Sequence, residues 1–127
     1  NIFRIASLSK LITATGIMKL WEEKKLSLAQ PVFGEKGILN DSAFLDIKAP
    51  RIREITVEHL LRHQGGYSIR AGDPLFCTPS VAQSMQTPLP LSADDMVRFA
   101  ASTRLRFRPG EGNAYSNLGN VVLGKVI

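Results

Sequence analysis

Cysteine is almost absent from this sequence: Cys77 is the single one among 127 residues. One cysteine cannot form an intrachain disulfide, so a small scaffold held by disulfides is excluded. A lone cysteine can also be a nucleophile. Cys77 lies in the loop-like stretch GDPLFCTPS, away in sequence from both histidines, and this favours a free, partly buried thiol.

Long apolar runs are also missing. The longest are far shorter than the roughly 18 residues that cross a bilayer, so we expect no membrane segment in this chain. No cluster of His, Cys and Asp has the spacing of metal ligands, and we expect neither a metal nor a cofactor. No signal peptide is visible, but the chain starts without Met and ends within a helical pattern, so both ends read as cut.

Acidic residues are outnumbered, with 16 Lys and Arg against 11 Asp and Glu, which gives a net charge of +5. The basic residues gather in segments 48–54 and 104–112, and a nucleic acid is one partner to consider. In segment 104–108, however, arginines alternate with Leu105 and Phe107, as in an extended segment with one wet face. Without aromatic platforms, a solvated basic face is favoured and no nucleic-acid partner is expected.

The periodicity of apolar residues predicts a mostly α chain. The first helix carries a stripe of large apolar side chains, which suggests a central position. We expect a long irregular stretch over 67–90, where prolines are frequent, and two candidate strands at 51–57 and 104–108. Four helices are predicted. The first runs from Ser7 to Lys25, and the second from Val57 to about His63 with Thr56 as its N-cap. The third is capped by Ser92, with Asp95 three residues further on, and the fourth starts at about Leu118.

Ser7 and Lys10 are three residues apart at the start of the first helix, which places both on one face, one turn apart. A serine hydroxyl needs a base within hydrogen-bond reach to act as a nucleophile, and a desolvated lysine amine can serve. Taken alone, the pattern is more typical of a capping serine followed by a solvated lysine. Ser9 is adjacent to Lys10 and is expected only to pack or cap.

Tyr115, Ser116 and Asn117 form a second candidate motif, in a glycine-bearing loop before the last helix. A tyrosine hydroxyl near an ammonium ionises more easily and can move protons, and an Asn amide can both donate to and accept from a substrate amide. The alternative is a packed tyrosine with Ser116 or Asn117 as the helix cap.

Together these blocks resemble the serine β-lactamase and penicillin-binding-protein family, in the branch of class C β-lactamases, D-alanyl-D-alanine carboxypeptidases and esterases. Four blocks in the family's order carry the resemblance: FRIASLSK, LSLAQPV, ITVEHLLRHQGGY and FRPGEGNAYSNLGNVVLGKVI.

The resemblance implies that Ser7 is the acylated nucleophile and Lys10 its amine partner. Tyr115 would be the general acid and base, and Asn117 would contact the substrate's acyl amide. The substrate would be a small molecule or peptide, namely a β-lactam, a D-Ala-D-Ala peptide or a small ester. A periplasmic or secreted location is expected on the same ground.

The resemblance further implies that residues 1–127 are one partial domain, the helical subdomain of an α+β fold whose antiparallel sheet is largely absent from this chain. The family's third catalytic motif, expected on a strand after Asn117, is not seen. His63, Gln64 and Gly65 match its pattern but precede Tyr115 and close a helix, so His63 is interpreted as structural. We therefore expect this chain alone to be a weak catalyst or none, and the rival is a non-catalytic module that binds peptidoglycan or peptides.

Overall fold

The computed structural model describes residues 2–70 and 72–127, and it confirms a mostly α chain. None of the helices in these two ranges is long and apolar enough to cross a membrane. Short 3-10 helices cover Ala6–Leu8, Ser42–Phe44 and Pro50–Glu54. Five α-helices follow one another along the chain: α1 (Ser9–Glu22), α2 (Val57–Leu61), α3 (Thr78–Met85), α4 (Ala93–Ser102) and α5 (Asn117–Val126).

The core is built around α5, which packs against α4 and also contacts α1 and α2. Val97 and Ala100 on α4 and Val122 on α5 are fully buried, and Leu60 of α2 joins the same cluster. Residues four apart share one helix face, so Val97 and Ala101 present one apolar side of α4 to α5. The predicted caps explain where these helices begin: Thr56 accepts a hydrogen bond from the His59 N–H, and Ser92 accepts one from the Asp95 N–H.

The prediction of a strand over 51–57 is wrong. Pro50–Glu54 is a 3-10 helix, because Pro50 already has the backbone angle of a first helical residue, and Thr56 then caps α2. In the described ranges the extended backbone forms only isolated bridges, Pro31 with Thr56 and Phe33 with Leu39.

The second predicted strand, over 104–108, is also wrong, although its predicted alternation is found. Leu105 is buried while the three arginines are exposed. The segment donates one backbone hydrogen bond to a neighbour, from the Arg106 N–H to the Gly66 carbonyl at 2.8 Å. The segment therefore has one wet face, but its backbone bends at Arg106 and Phe107 and it is not part of a sheet.

The expectation of an irregular stretch over 67–90 is wrong for its second half, which contains α3. Pro79 is the second residue of α3, where a proline costs no hydrogen bond because the first N–H groups of a helix have no intrahelical partner. Val81 and Ala82 are buried, and the helix ends at Gln86 in the left-handed conformation.

The expectation that the first helix is central is wrong for the described residues. A 3-10 turn covers Ser7, and α1 itself begins at Ser9. Among the residues of α1 only Ile17 is buried. The other large apolar side chains of this segment are exposed: Leu8, Leu11, Ile12, Met18 and Trp21.

Candidate active site

Ser7 lies at the centre of the 3-10 turn that leads into α1, and its side chain is exposed. The turn closes with a hydrogen bond from the Leu8 N–H to the Ile5 carbonyl at 3.1 Å. Lys10, one turn further on, donates from Nζ to the Ser7 hydroxyl at 3.4 Å. The spacing of three residues therefore brings the amine and the hydroxyl together, as expected for one face of a helix.

Tyr115 reaches the same hydroxyl from the other end of the chain, 108 residues away. Its phenolic oxygen lies 2.8 Å from Ser7 Oγ, and either atom can be the donor. Lys10 Nζ is also 5.0 Å from the centre of the Tyr115 ring. The interaction of the phenol with Lys10, and then its hydrogen bond with Ser7, lowers the pKa of Tyr115 below its usual value.

The loop that carries Tyr115 is fastened to the segment that follows α2. Along this seam backbone N–H groups of Arg106, Gly110 and Ala114 donate to carbonyls of Gly66, Gln64 and His63 at 2.8–3.0 Å. The two segments of the chain approach closely at Gly66, which has φ +89°. A Cβ on Gly66 would lie 2.5 Å from the Phe107 carbonyl oxygen. A glycine is required there on both counts.

His63 contacts Tyr115 directly, which the sequence pattern did not reveal. The two ring centres are 4.8 Å apart. His63 Nδ1 accepts a hydrogen bond from the Ser116 N–H at 3.2 Å, so the neutral ring carries its proton on Nε2. Burial, followed by the charge of Lys10, lowers the pKa of His63 below its usual value.

Asn117, the fourth predicted site residue, is the first residue of α5 and points to a partner that was not predicted. Its amide donates to the Asp73 carboxylate at 2.6 Å, across 44 positions. Asp73 also accepts from the Leu75 N–H at 2.9 Å, the side-chain-to-backbone turn expected of Asp before proline. That turn could be read from GDP in the sequence, whereas the pairing with Asn117 depends on the fold.

The two neighbouring serines have local structural roles. The Ser116 hydroxyl accepts from the Gly119 N–H at 2.9 Å and caps α5, which is the role expected for it. Ser9 donates from its hydroxyl to the Ala6 carbonyl at 2.7 Å, a contact within its own turn. Ser9 is therefore a natural control for experiments on Ser7.

Cys77 is a free thiol and is half-buried, as the sequence predicted. It precedes α3, and a Cβ on Gly72 would lie 2.6 Å from its sulfur. In the part of the chain that the structure describes, no group of three or more His, Cys, Asp or Glu side chains is placed to hold a metal ion.

The cluster of Ser7, Lys10 and Tyr115 has the arrangement that acyl transfer needs. A hydroxyl nucleophile lies within hydrogen-bond distance of a phenol that can take its proton. The Lys10 ammonium beside them favours the ionised phenol. These are properties of the geometry, and they leave the class of carbonyl substrate open.

Comparison with known proteins supplies the family. The protein Rv1367c of Mycobacterium tuberculosis is 30% identical over 137 aligned residues, which take in 100% of this chain and 32% of that protein. Esterase EstB of Burkholderia gladioli is 28% identical, again over 100% of this chain and 32% of the relative. A Dichelobacter nodosus protein described as "Probable fimbrial assembly protein FimD, serogroup H1" is 29% identical over 98% of this chain and 28% of its own length.

The chain thus spans about a third of the length of the curated relatives it matches. The family model described as Beta-lactamase matches residues 1–127, the whole chain. On this match, the chain belongs to the Beta-lactamase family.

Proposed function

We propose that the protein carrying this chain is a serine hydrolase that forms an acyl-enzyme on Ser7. One observation carries the proposal: the Ser7 hydroxyl lies 2.8 Å from the Tyr115 phenol and 3.4 Å from Lys10 Nζ. A serine held between a phenol and an ammonium is poised to lose its proton, which an exposed serine in a plain helix cap is not.

In the proposed reaction Ser7 Oγ attacks the substrate carbonyl carbon while its proton passes to the Tyr115 oxygen. Lys10 stabilises Tyr115 as the phenolate before this transfer. When the tetrahedral intermediate collapses, the bond to the leaving group breaks and Tyr115 returns the proton to that group. Water then attacks the Ser7 ester, giving its proton to Tyr115, and the acid is released as Ser7 Oγ regains a proton.

Among the three substrate classes that the resemblance implies, we favour a small ester. Family membership supports hydrolysis in general, and a relative named as an esterase supports esters in particular. A β-lactam and a D-Ala-D-Ala peptide remain as the alternatives, because Ser7, Lys10 and Tyr115 would serve all three.

A non-catalytic peptide-binding module is the second candidate. Two observations favour it: the Asn117 amide is engaged by Asp73, and the described residues provide no strand beside Ser7 to bind a substrate backbone. The resemblance implies that the strand of the third motif supplies one N–H donor to the oxyanion, and losing one such donor costs roughly 3 kcal/mol of transition-state stabilisation. The 127 residues alone would therefore turn over slowly even if Ser7 reacts.

Covalent labelling separates the two candidates. Ser7 attacks the phosphorus of a fluorophosphonate, fluoride leaves, and the serine proton passes to Tyr115, so mass spectrometry should find the phosphonyl group on the Ser7 peptide. Ser7→Ala should abolish the label and Ser9→Ala should retain it. Absence of a label on the wild-type protein, or equal labelling of Ser7→Ala, would overturn the proposal. Hydrolysis of p-nitrophenyl butyrate compared with nitrocefin then distinguishes an ester from a β-lactam substrate.

A further inference from the structure

The seam between the segment after α2 and the Tyr115 loop contains one contact that differs from the rest. The backbone donors of the loop bind carbonyl oxygens at Gly66, Gln64 and His63, and these acceptors do not titrate. The Ser116 N–H instead binds a side-chain nitrogen, Nδ1 of His63. This titratable contact involves Ser116, the residue that directly follows Tyr115.

We propose that His63 is a positioning residue that holds Tyr115 against Ser7 while its ring is neutral and releases the loop when the ring is protonated. The inference rests on the proposed function, since it concerns the geometry of the general base. Protonation places a hydrogen on Nδ1, which then faces the Ser116 N–H, and two donors cannot bind each other. The Tyr115 ring, whose centre is 4.8 Å from that of His63, would shift with its backbone.

The charge nearest to His63 also favours the neutral form of its ring. From α1, Lys10 faces the ring and its positive charge opposes a second one. α5 contributes Asn120 and Leu123, which do not titrate. From the loop, Tyr115 is the titratable neighbour.

Three more charged residues lie on the flanking segments. Glu58 and Arg62, on the segment that carries His63, pair with each other at 2.9 Å. Asp73 binds the Asn117 amide. Neither carboxylate is a hydrogen-bond partner of His63, so burial and Lys10 keep its pKa below the usual value and the ring is neutral at neutral pH.

His63→Asn is the informative variant. His63 has φ +55°, a left-handed conformation that Asn tolerates better than most residues. The Asn Oδ1 can replace Nδ1 as the acceptor, and it does not titrate. His63→Leu removes the acceptor at every pH and serves as the contrasting variant.

The measurement is kcat/KM for p-nitrophenyl butyrate as a function of pH, expressed as the ratio of His63→Asn to wild type. The titrations of all groups other than residue 63 occur in both proteins and cancel to first order in this ratio. We expect a flat ratio above pH 7 and a rise toward about tenfold per pH unit below the His63 inflection. We expect His63→Leu to be impaired at all pH values. A flat ratio across the pH range in which the His63 ring titrates, or wild-type behaviour of His63→Leu, would overturn the proposal.

A second measurement needs neither a variant nor turnover. In ¹⁵N NMR spectra of the wild-type protein, the Ser116 amide should shift with an inflection below pH 6.5, the usual pKa of histidine. If the amide shifts but no ester or β-lactam is hydrolysed, the positioning role stands and the proposed function fails. If the Ser116 amide does not respond where the His63 ring titrates, the positioning role fails, whatever the activity.

Discussion

Helices α1 and α4 both carry large apolar side chains, but α4 is far more one-sided and the two helices have opposite surroundings. On α4, Met96, Val97, Ala100 and Ala101 are buried against the rest of the chain. On α1, Ile17 is the buried residue, and Leu11 and Ile12 are each 67% exposed. The comparison teaches that periodicity determines which side of a helix is apolar, but not whether the described chain covers that side.

The candidate site combines residues from the mostly exposed region around α1 with residues from the well-packed region around α4 and α5. Tyr115 and Asn117 stand on the well-packed side, where Ser116 caps α5 and the seam holds the loop. Lys10 lies on α1 and Ser7 lies in the 3-10 turn before it. Helix α1 contacts α5, and Gly16 lies close to Ile127, the residue after α5, where a Cβ would lie 2.9 Å from Cδ1. The Ser7–Tyr115 distance therefore depends on how α1 is held.

The largest expected effect on activity comes from removing the side-chain contacts that Ser7 makes with Tyr115 and Lys10. Tyr115→Phe removes the phenolic oxygen 2.8 Å from Ser7, and Lys10→Met removes the ammonium. We expect each to lower kcat by about 10²–10⁴-fold, the usual contribution of a positioned acid or base. Steady-state kinetics on p-nitrophenyl butyrate provide the measurement.

Lys19→Met is the matched control for the lysine variant. Lys19 lies on the same helix but forms an exposed pair with Glu22, and such pairs contribute little. Activity within twofold of wild type is expected for Lys19→Met. If Lys10→Met were equally harmless, the amine would have no part in the chemistry.

The next effect tests the difference in packing through two leucines. Leu60 is 3% exposed and Leu11 is 67% exposed. In the 127-residue chain we expect Leu60→Ala to lower the free energy of unfolding by about 2–5 kcal/mol, through lost burial and a cavity. We expect Leu11→Ala to change it by less than about 0.5 kcal/mol, since nothing closes over that side chain.

Urea unfolding followed by circular dichroism measures both values. If both substitutions lowered the free energy of unfolding equally in this chain, α1 would be as well packed as the other helices. Leu11→Ala should also be measured in a longer native polypeptide. If it lowers the free energy of unfolding there as much as Leu60→Ala does, additional residues cover the apolar side of α1.

What could be predicted from the sequence was local. Thr56 and Ser92 mark helix starts because each capping side chain accepts from an N–H three residues further on, and the spacing of three also brings Ser7 and Lys10 together. Helix α3 was not predicted because the stretch over 67–90 has frequent prolines and weak periodicity, although the first turn of a helix tolerates Pro79.

The long-range contacts were of another kind. Ser7 and Tyr115 could be linked only through the family resemblance, and their 2.8 Å contact then appeared in the structure. Asp73 with Asn117, and His63 with Tyr115, carry no spacing signal because the fold brings distant segments together. The roles of Ser7, Lys10, Tyr115 and Asn117 in catalysis stay predictions.

The smallest expected effect concerns the cap of α4, on the packed side of the comparison. Ser92 accepts from the Asp95 N–H at 3.1 Å and donates to its carboxylate at 2.7 Å. We expect Ser92→Ala to lower the free energy of unfolding by about 1 kcal/mol at pH 7. Ser102→Ala, at the other end of α4, removes one bond to the Phe99 carbonyl and should cost less.

The stabilisation from this cap depends on pH, and the lowered pKa of Asp95 gives the direction of the change. The hydrogen bonds from the side chain and then the backbone of Ser92 lower the pKa of Asp95 in the folded protein. Their contribution is therefore fully present above the unfolded aspartate pKa of about 3.9 and is lost as the pH falls through the lower folded value. Urea unfolding at pH 7 and pH 2.5 should show the cost of Ser92→Ala shrinking at the acidic end. A cost that stays constant, or grows on acidification, would mean that Asp95 takes no part in the cap.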